Sequence, residues 1–200
     1  MRIGKTRLSS SYATNINLPE YSFIHNASDT RAGGTGLYIF NKPTYIPHDD
    51  LSSFIFSSGP LESTFCEIKH NKKNILVGCV YKHPSMDIDI FNENVISPFL
   101  SKISRENKFL VIMGDFNINL LHCDESPPIA NFLDIFGSYH NWSSYHNFLI
   151  ISLPTRITSS SNTLIDNIFV STTSSPTISG NLTIGISDHL PQFLILNQMS

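Results

Sequence analysis

The hydrophobic pattern of the chain alternates short extended runs with two longer helical segments. Seven runs of four to eight residues are rich in β-branched and aromatic side chains, as is typical of strands. They are YSFI (21–24), GLYIF (36–40), STFCEIK (63–69), NILVGCVY (74–81), FLVIM (109–113), TLIDNIFV (163–170) and PQFLILN (191–197). A short polar turn separates the third run from the fourth, which predicts an antiparallel hairpin.

Two segments have helical periodicity. In DIFNENVISPFLSKIS, Phe91, Val95 and Phe99 lie on one i, i+4 row, which predicts an amphipathic helix that Pro98 should weaken or kink. The segment PPIANFLDIFGSY predicts a second helix with a Pro-Pro start. Its predicted buried residues are Ile129, Phe132, Leu133 and Phe136. A hairpin followed by a helical crossover predicts an α/β sandwich with a mixed sheet, and no repeat or linker divides residues 1–200 into domains.

Composition narrows the class without naming a partner. The 200 residues are 40% hydrophobic and 14% charged with a net charge of −3, which indicates an ordinary globular chain that is not basic. The three cysteines, Cys66, Cys79 and Cys123, lack CxxC spacing, so neither a disulfide framework nor a zinc site is indicated, and the first two are expected to be buried. We find no membrane-length apolar run and no secretory signal, and therefore expect no membrane partner and an intracellular site, nucleus or cytoplasm.

Polar residues follow several of the predicted strands. In FLVIMGDFNIN, Asp115 and Asn117 are two residues apart, so they should project to the same side at the carboxyl end of the strand, where open α/β sheets bind ligands. An ordinary Asp/Asn turn is the alternative interpretation, because Gly, Asp and Asn are common turn residues. Tyr81 ends NILVGCVY, Asp166 lies in TLIDNIF, and residues 187–189 read Ser-Asp-His before the last strand.

Taken together and in this order, these motifs resemble the endonuclease/exonuclease/phosphatase superfamily, whose members share a GD-x-N motif, a later internal Asp and a C-terminal SDH. The chain is similar in particular to the endonuclease domains of animal non-LTR retrotransposons. That similarity runs through LPEYSFIH, RAGGTGLYIF, VYKHPS, MGDFNINL, LPTRIT, TLIDNIF and SDHLPQFL. It places the core of one domain at residues 18–198, with residues 1–17 as a poorly matching remnant of the family's N-terminal region.

The resemblance implies a four-layered α/β sandwich of two mixed β-sheets with flanking helices, lacking the family's first strand and helix. It also implies a monomer that cleaves DNA with Mg²⁺, or alternatively Mn²⁺, and a parent polyprotein that carries a reverse transcriptase. Phosphodiester hydrolysis needs a nucleophilic water, a stabilised leaving oxygen and neutralised phosphoryl charge, so carboxylates, an imidazole and a hard divalent cation are the expected parts.

Three residues are implied to act on the water and the phosphate. Asp115 matches the family Asp that aligns or activates the attacking water. Asn117 and Tyr81 match residues that contact the scissile phosphate.

Three further residues are implied to supply the imidazole and a metal ligand. His189 matches the imidazole that contacts or protonates phosphate-side groups, and Asp166 matches the carboxylate that orients it and favours its charged form. Asp188 matches the acidic neighbour near the metal. Without the resemblance, Asp166 would be interpreted as a residue that caps a strand.

The first residues depart from the family pattern. Members carry a metal-site Asn on a first strand, which the resemblance leads us to expect to be missing from these 200 residues, and a metal-binding Glu followed by Thr. The opening of this chain resembles the region of that Glu, but Lys5 stands in its place, and an ammonium cannot ligate Mg²⁺. Glu20, Glu62 and Glu67 are not expected to replace it.

The resulting expectation is an endonuclease with impaired activity, and two alternatives stay open. One is a decayed or partial copy without catalysis that binds nucleic acid or a protein partner. The other is a phosphatase or lipid phosphodiesterase on the same fold, because a fold does not determine a substrate.

Overall fold

The computed structural model describes residues 2–5, 17–28, 33–56, 61–69, 74–105, 108–139, 151–171 and 177–196. The strands in these ranges are β1 (Arg2–Lys5), β2 (Tyr21–Asn26), β3 (Thr35–Phe40), β4 (Tyr45–Pro47), β5 (Leu61–Ile68), β6 (Ile75–Lys82), β7 (Phe109–Asp115), β8 (Arg156–Ile157), β9 (Asn162–Thr163), β10 (Asp166–Val170), β11 (Thr177–Asn181) and β12 (Gln192–Leu196). The helices are α1 (Asp49–Phe56), α2 (Ile88–Phe91), α3 (Ser97–Ile103) and α4 (Pro127–Tyr139), with a π-helical turn at Asn92–Ile96 and a 3₁₀ turn at Leu120–His122.

The central layer is a five-stranded mixed sheet. Its strand order is β10-β7-β6-β5-β4, in which β6 and β7 are parallel and the other pairs are antiparallel. The predicted hairpin is confirmed as β5 and β6, although residues 70–73 of its turn lie outside the described residues. Strands β5 and β6 are buried along almost their whole length, as expected for strands that are covered on both faces.

A second strand layer covers one face of this sheet in two antiparallel pieces. One piece has the order β1-β3-β2, and the other is the pair β11-β12. Leu37, Ile39 and Leu194 from these pieces pack with Cys66 and Val77 of the central sheet. Of the sheets described, only the five-stranded one is mixed.

The helices cover the opposite face of the central sheet. Phe91, Phe99, Phe132 and Phe136 from the helices pack with Phe65 and other residues of the sheet in one apolar cluster. Three layers of the predicted sandwich are thus described. None of the described helices is both long and apolar enough to cross a membrane.

The predicted kink at Pro98 takes the form of a widened helical turn. The π-helical turn at Asn92–Ile96 lies directly before α3, and the Ser97 N–H donates to the Asn92 carbonyl, five residues back. Proline has no N–H to continue a regular helical ladder, and such turns are a recognised cause of helix bends. The turn also buries the side chain of Asn92, whose Nδ2 donates to the Pro128 carbonyl at 2.9 Å.

The structure differs from the sequence prediction mainly in its short elements. The single run predicted at 163–170 is divided into β9 and β10, because Leu164 bonds to the segment after β7. Its N–H donates to Asn119 Oδ1 at 2.9 Å, and its carbonyl accepts from the Leu120 N–H at 3.0 Å. Strands β1, β4, β8 and β11 and helix α1 were not predicted.

Candidate functional site

Strand register places one polar residue from each of four neighbouring strands in a single row. Tyr81 of β6 pairs with Asp115 of β7, and Asp115 pairs on its other side with Asp166 of β10. Glu62 of β5 pairs with Tyr81 and completes the row. Tyr81 and Asp115 both lie at the carboxyl end of their parallel strands, which is the edge predicted for the site.

The Gly-Asp-Phe-Asn segment owes its shape to a glycine and an asparagine with positive φ. Gly114 has a φ of +153°, and a Cβ atom there would lie 1.8 Å from the Val80 carbonyl oxygen, so a side chain cannot fit against β6. Asn117 has a φ of 49°, a left-handed conformation that asparagine tolerates better than most residues. Its N–H donates to Asp115 Oδ1 at 3.0 Å, and its Nδ2 donates to the Lys82 carbonyl at 2.7 Å. The segment is therefore an Asx turn, and this turn holds Asn117 against the end of β6.

A chain of hydrogen bonds orients the imidazole of His189. Its Nδ1 lies 3.0 Å from Asp166 Oδ2, and Thr155 Oγ1 donates to the same carboxylate oxygen at 2.9 Å. The buried Thr155 hydroxyl also accepts the N–H groups of Ile165 and Asp166 at 3.2 and 3.0 Å. The hydrogen bond to Asp166 raises the pKa of His189, with further contributions from the negative charges of Asp115 and Asp188. This arrangement favours an imidazolium.

Two carboxylates, those of Asp115 and Asp166, lie close enough together to hold a metal ion, whereas the imidazolium form of His189 beside them has no free lone pair with which to bind one. Ligand atoms of Asp115, Asp166 and His189 are all within 4.8 Å of one another. Oxygen donors suit Mg²⁺, so Asp115 and Asp166 fit such an ion. The fit is incomplete, because Asp166 already accepts from Thr155 and His189, and Asp115 accepts from the Asn117 N–H.

Asp188, the predicted metal residue, lies beside the site but is bound to a cation of the protein. Arg156 Nε donates to Asp188 Oδ2 at 2.8 Å, and this hydrogen bond lowers the pKa of Asp188. The backbone of Arg156 forms a bridge with His189, so the ion pair is adjacent to the imidazole. Both side chains are partly solvent-exposed, at 42% and 45%.

Two residues of the LPTRIT motif were not identified from the sequence as part of the site. Thr155 binds the carboxylate that orients the imidazole, and Arg156 binds Asp188. The sequence signal was the motif itself, since no local pattern shows that Thr155 reaches Asp166. Tyr81, which was identified, is 4% exposed, so any contact with a phosphate must use the small part of its side chain that is at the surface.

Glu62 and Lys5 lie at the same end of the molecule. The carboxylate of Glu62 accepts from Ser28 Oγ and from the Gly34 N–H, so both of its oxygens bind the chain before β3. Lys5 ends β1 and pairs with Thr35, the residue after Gly34. Residues 6–8, the rest of the segment compared with the family's metal-binding Glu, lie outside the described residues.

No protein-family profile and no curated protein sequence matches the chain. Its structure is similar to the endonuclease domain of TRAS1, a telomere-specific non-LTR retrotransposon, with a TM-score of 0.62, 11% identity and coverage of 92% of this chain and 83% of that one. For D. rerio TDP2 complexed with a single-strand DNA product, the TM-score is 0.59 and the identity 12%, over 90% of this chain and 78% of that one.

A third similar structure is the mannosyl-6-phosphatase Bt3783 of Bacteroides thetaiotaomicron VPI-5482, with a TM-score of 0.54 and 17% identity over 90% of this chain and 78% of that one. One of these structures is an endonuclease domain and another is a phosphatase, and at 11–17% sequence identity the structural similarity establishes a common fold alone. The five-stranded mixed sheet with smaller strand pieces on one face and helices on the other agrees with that fold. The protein therefore has the fold of the endonuclease/exonuclease/phosphatase superfamily, as its ordered motifs predict.

Proposed function

We propose that the chain is a DNA endonuclease domain of the non-LTR retrotransposon type, which hydrolyses phosphodiesters with Mg²⁺ and has reduced activity. The observation that carries the proposal is the cluster of Asp115, Asp166 and His189, whose ligand atoms lie within 4.8 Å of one another. The structural similarity to the TRAS1 endonuclease domain is consistent with it. In this proposal the parent protein also carries a reverse transcriptase.

Each residue of the site has a distinct role in the proposed hydrolysis. Asp115, which lies between Tyr81 and Asp166 in the row, aligns a water and accepts its proton. Tyr81 and Asn117 flank Asp115 and contact the scissile phosphate. These groups come from the ends of hydrogen-bonded strands, so their positions are set before substrate arrives, and such preorganisation is a large part of catalysis.

His189 supplies positive charge and a proton on the phosphate side. Asp166 binds Nδ1 and raises the pKa of the imidazole, which leaves Nε2–H to face a phosphate oxygen. Thr155 holds the Asp166 carboxylate in place, so its contribution is positional. A bound Mg²⁺, held by Asp115 and Asp166, would neutralise charge on the phosphoryl oxygens.

Two cations of the protein account for the proposed reduction in activity. Lys5 stands where the resemblance places a carboxylate ligand, and its backbone lies at the site end of β1. Arg156 forms an ion pair with the carboxylate of Asp188, and the resemblance places Asp188 near the metal. A hard divalent cation depends on anionic oxygens and is repelled by fixed positive charge, so both features weaken its binding.

Nicking of supercoiled plasmid DNA in the presence of Mg²⁺ tests the proposal. We expect slow nicking by the wild-type chain, faster nicking by Lys5→Glu, and loss of about 10²–10⁴-fold of that rate when His189→Ala is added. Adding Asp115→Ala to Lys5→Glu should also abolish nicking. Isothermal titration with Mg²⁺ should show tighter binding for Lys5→Glu than for Lys5→Gln, which removes the cation without adding a ligand.

A second candidate function is nucleic-acid binding without catalysis, and the Arg156–Asp188 ion pair favours it because it removes an expected metal ligand. The two functions separate in the same experiment. The binding function is supported if the Lys5→Glu variant binds Mg²⁺ and shifts DNA in a gel-shift assay but does not nick it. If wild-type chain nicks DNA rapidly, the proposed impairment is wrong.

A further inference from the structure

The turn that follows β6 carries a histidine that the proposed mechanism does not use. Strand β6 ends at Lys82, and His83 is the first residue of the 83–86 turn. Asn117 Nδ2 donates to the Lys82 carbonyl at 2.7 Å, and Tyr81 pairs with Asp115. The turn therefore borders the site on the side of the two proposed phosphate contacts.

Hydrogen bonds to Nδ1 determine the tautomer of His83. The Ser85 N–H donates to His83 Nδ1 at 3.3 Å, and Ser85 Oγ lies 2.7 Å from the same atom. An amide N–H can only donate, so Nδ1 is an acceptor and the Ser85 hydroxyl must donate as well. In the neutral ring the proton is consequently on Nε2. Among the described residues no group accepts a hydrogen bond from His83 Nε2, and the side chain is partly exposed.

The position of the ring is also constrained by its neighbours. The His83 ring stands edge-on to Tyr81, with ring centroids 6.4 Å apart and planes at 76°. The turn closes through the Met86 N–H, which donates to the His83 carbonyl at 3.1 Å. The Tyr81 ring thus constrains the His83 side chain, and the hydrogen bond from Met86 constrains the His83 backbone.

A buried lysine fastens the turn from inside. Lys82 is 1% exposed, and its Nζ donates to the Met86 carbonyl at 2.6 Å and reaches the His83 carbonyl at 3.4 Å. The ammonium also lies 5.7 Å from the centroid of the Phe91 ring. A charged group is buried in this way only when its donors are satisfied, and here both protein acceptors belong to the turn. The Lys82 ammonium therefore stabilises the conformation of the turn and is too deeply buried to contact a substrate.

We propose that His83 is a substrate-binding residue, which donates Nε2–H to a non-bridging phosphate oxygen next to the phosphate contacted by Tyr81 and Asn117. This inference rests on the proposed function, because it requires a nucleic-acid strand in the site. The donor is neutral, oriented by Ser85 and fixed by the turn. It adds a directional contact with one phosphate of the strand, without adding to the charge of the protein.

Binding of a fluorescein-labelled 20-nucleotide single strand of DNA, followed by anisotropy in EDTA so that no cleavage occurs, tests this role. Because a hydrogen bond to a charged group contributes about 1.5–3 kcal/mol, His83→Ala should raise Kd at least about tenfold. His83→Gln, whose amide nitrogen can replace Nε2–H, should stay within about threefold of wild type. The matched control His122→Ala removes an exposed histidine that pairs with Glu125 and should leave Kd nearly unchanged.

The salt dependence separates a neutral donor from a cation. Loss of a cationic phosphate contact lowers the slope of log K against log salt by about 0.7 for a single strand, whereas loss of a neutral donor leaves it unchanged. We expect the unchanged slope for His83→Ala. Long-range ¹⁵N NMR of the wild-type chain should show Nε2 protonated and Nδ1 unprotonated, and added DNA should shift the Nε2–H resonance of His83.

Each contrary outcome has a separate meaning. Equal Kd for wild type and His83→Ala, or an Nδ1–H tautomer, overturns the role of His83 and leaves the proposed function standing. A His83→Gln variant as weak as His83→Ala, or a reduced salt slope, overturns the neutral donor. If the wild-type chain nicks plasmid DNA but does not bind the single strand, this inference fails and the proposed function stands. If it neither nicks nor binds DNA, both fail.

Discussion

At the scale of the residue, Gly114 illustrates how a missing side chain shapes the site. It combines a φ of +153° with a contact to β6 so close that a Cβ would lie 1.8 Å from the Val80 carbonyl oxygen. Asp115 follows it directly. Any displacement of the backbone at Gly114 therefore moves the Asp115 carboxylate.

We predict that Gly114→Ala destabilises the fold by more than about 2 kcal/mol, since it combines a steric collision with an unfavourable φ. Gly137→Ala is the matched control. Gly137 lies in α4, and a Cβ there meets no atom within 4 Å, so the helix should be stabilised by up to about 1 kcal/mol. Urea unfolding measures both changes. Equal effects of the two substitutions would contradict the steric explanation.

Individual site residues were predictable from the sequence only where a motif names them. Asp115, Asn117, Asp166 and His189 belong to short motifs beside strands, and the structure brings Asp115, Asp166 and His189 together. Thr155 could not be derived from pattern, because it is 11 residues from Asp166 and acts through a folded contact. The Arg156–Asp188 pair spans 32 residues and was missed for the same reason.

At the scale of the element, long helices and strands could be predicted from the sequence, whereas the shortest ones could not. Helix α4 was predicted with its bounds because its apolar periodicity extends over 13 residues. Strands β8 and β9 have two residues each, which is too short for any periodicity, and their pairing depends on the contacts of Thr155 and Thr163. Strand β11 was missed because TISGN has no apolar alternation strong enough to indicate a strand.

The buried face of α4 gives a prediction at this scale. Phe132 is fully buried and packs with the rings of Phe91, Phe116 and Phe136. Phe132→Ala should lower the free energy of unfolding by about 3–5 kcal/mol, through lost burial and the cavity that it leaves. Asn131→Ala changes the exposed neighbour on the same helix and should have an effect below about 0.5 kcal/mol. Similar costs for both variants would show that the helix is not held by this face.

At the scale of the whole molecule, a second polar cluster lies at the end of the central sheet away from the site. Glu67 of β5 accepts hydrogen bonds from Lys108 at 2.6 Å, from His48 at 3.0 Å and from Asn74. It thereby links β5 to the segments that precede α1, β6 and β7. The hydrogen bond from Lys108, with those from His48 and Asn74, lowers the pKa of Glu67 from 4.5 to about 2.

This cluster should make stability dependent on pH. A carboxyl group whose pKa is lower in the folded state stabilises the fold above its unfolded pKa and loses that contribution as pH falls through the folded value. Relative to Glu67→Gln, the wild type should lose about 1.4 kcal/mol per pH unit as the pH falls from about 4.5 to about 2. Urea unfolding of both proteins at several pH values measures this difference. A difference that is constant with pH would contradict the assigned role of Glu67.

The divided second layer leads to a prediction about association. Within the described residues β1 pairs only with β3, and β12 pairs only with β11, so each piece has a strand with one unpaired edge. Ile178 and Ile195 face each other across β11 and β12 and are 55% and 50% exposed. Exposed edges that carry apolar side chains promote association between chains.

We therefore expect the chain to be poorly soluble when expressed by itself, and Ile195→Lys to reduce association, because a charged side chain at an edge opposes pairing. Light scattering coupled to gel filtration would measure the change over a range of concentrations. Ile90→Lys, at a similarly exposed position on helix α2 and away from any strand edge, is the matched control. A wild-type chain that remains a monodisperse monomer at high concentration would contradict the prediction.

The row formed by Glu62, Tyr81, Asp115 and Asp166 has a consequence for how this sequence can vary. Each member is aligned by the hydrogen-bond ladder of its strand, and a shift of one residue in a strand turns every side chain to the opposite face. Except at Gly78 and Gly114, where a side chain would collide with its neighbours, substitutions along β6, β7 and β10 leave the alignment intact. One inserted or deleted residue within any of these strands destroys it. Related sequences should therefore tolerate many substitutions within these three strands but almost no insertions or deletions.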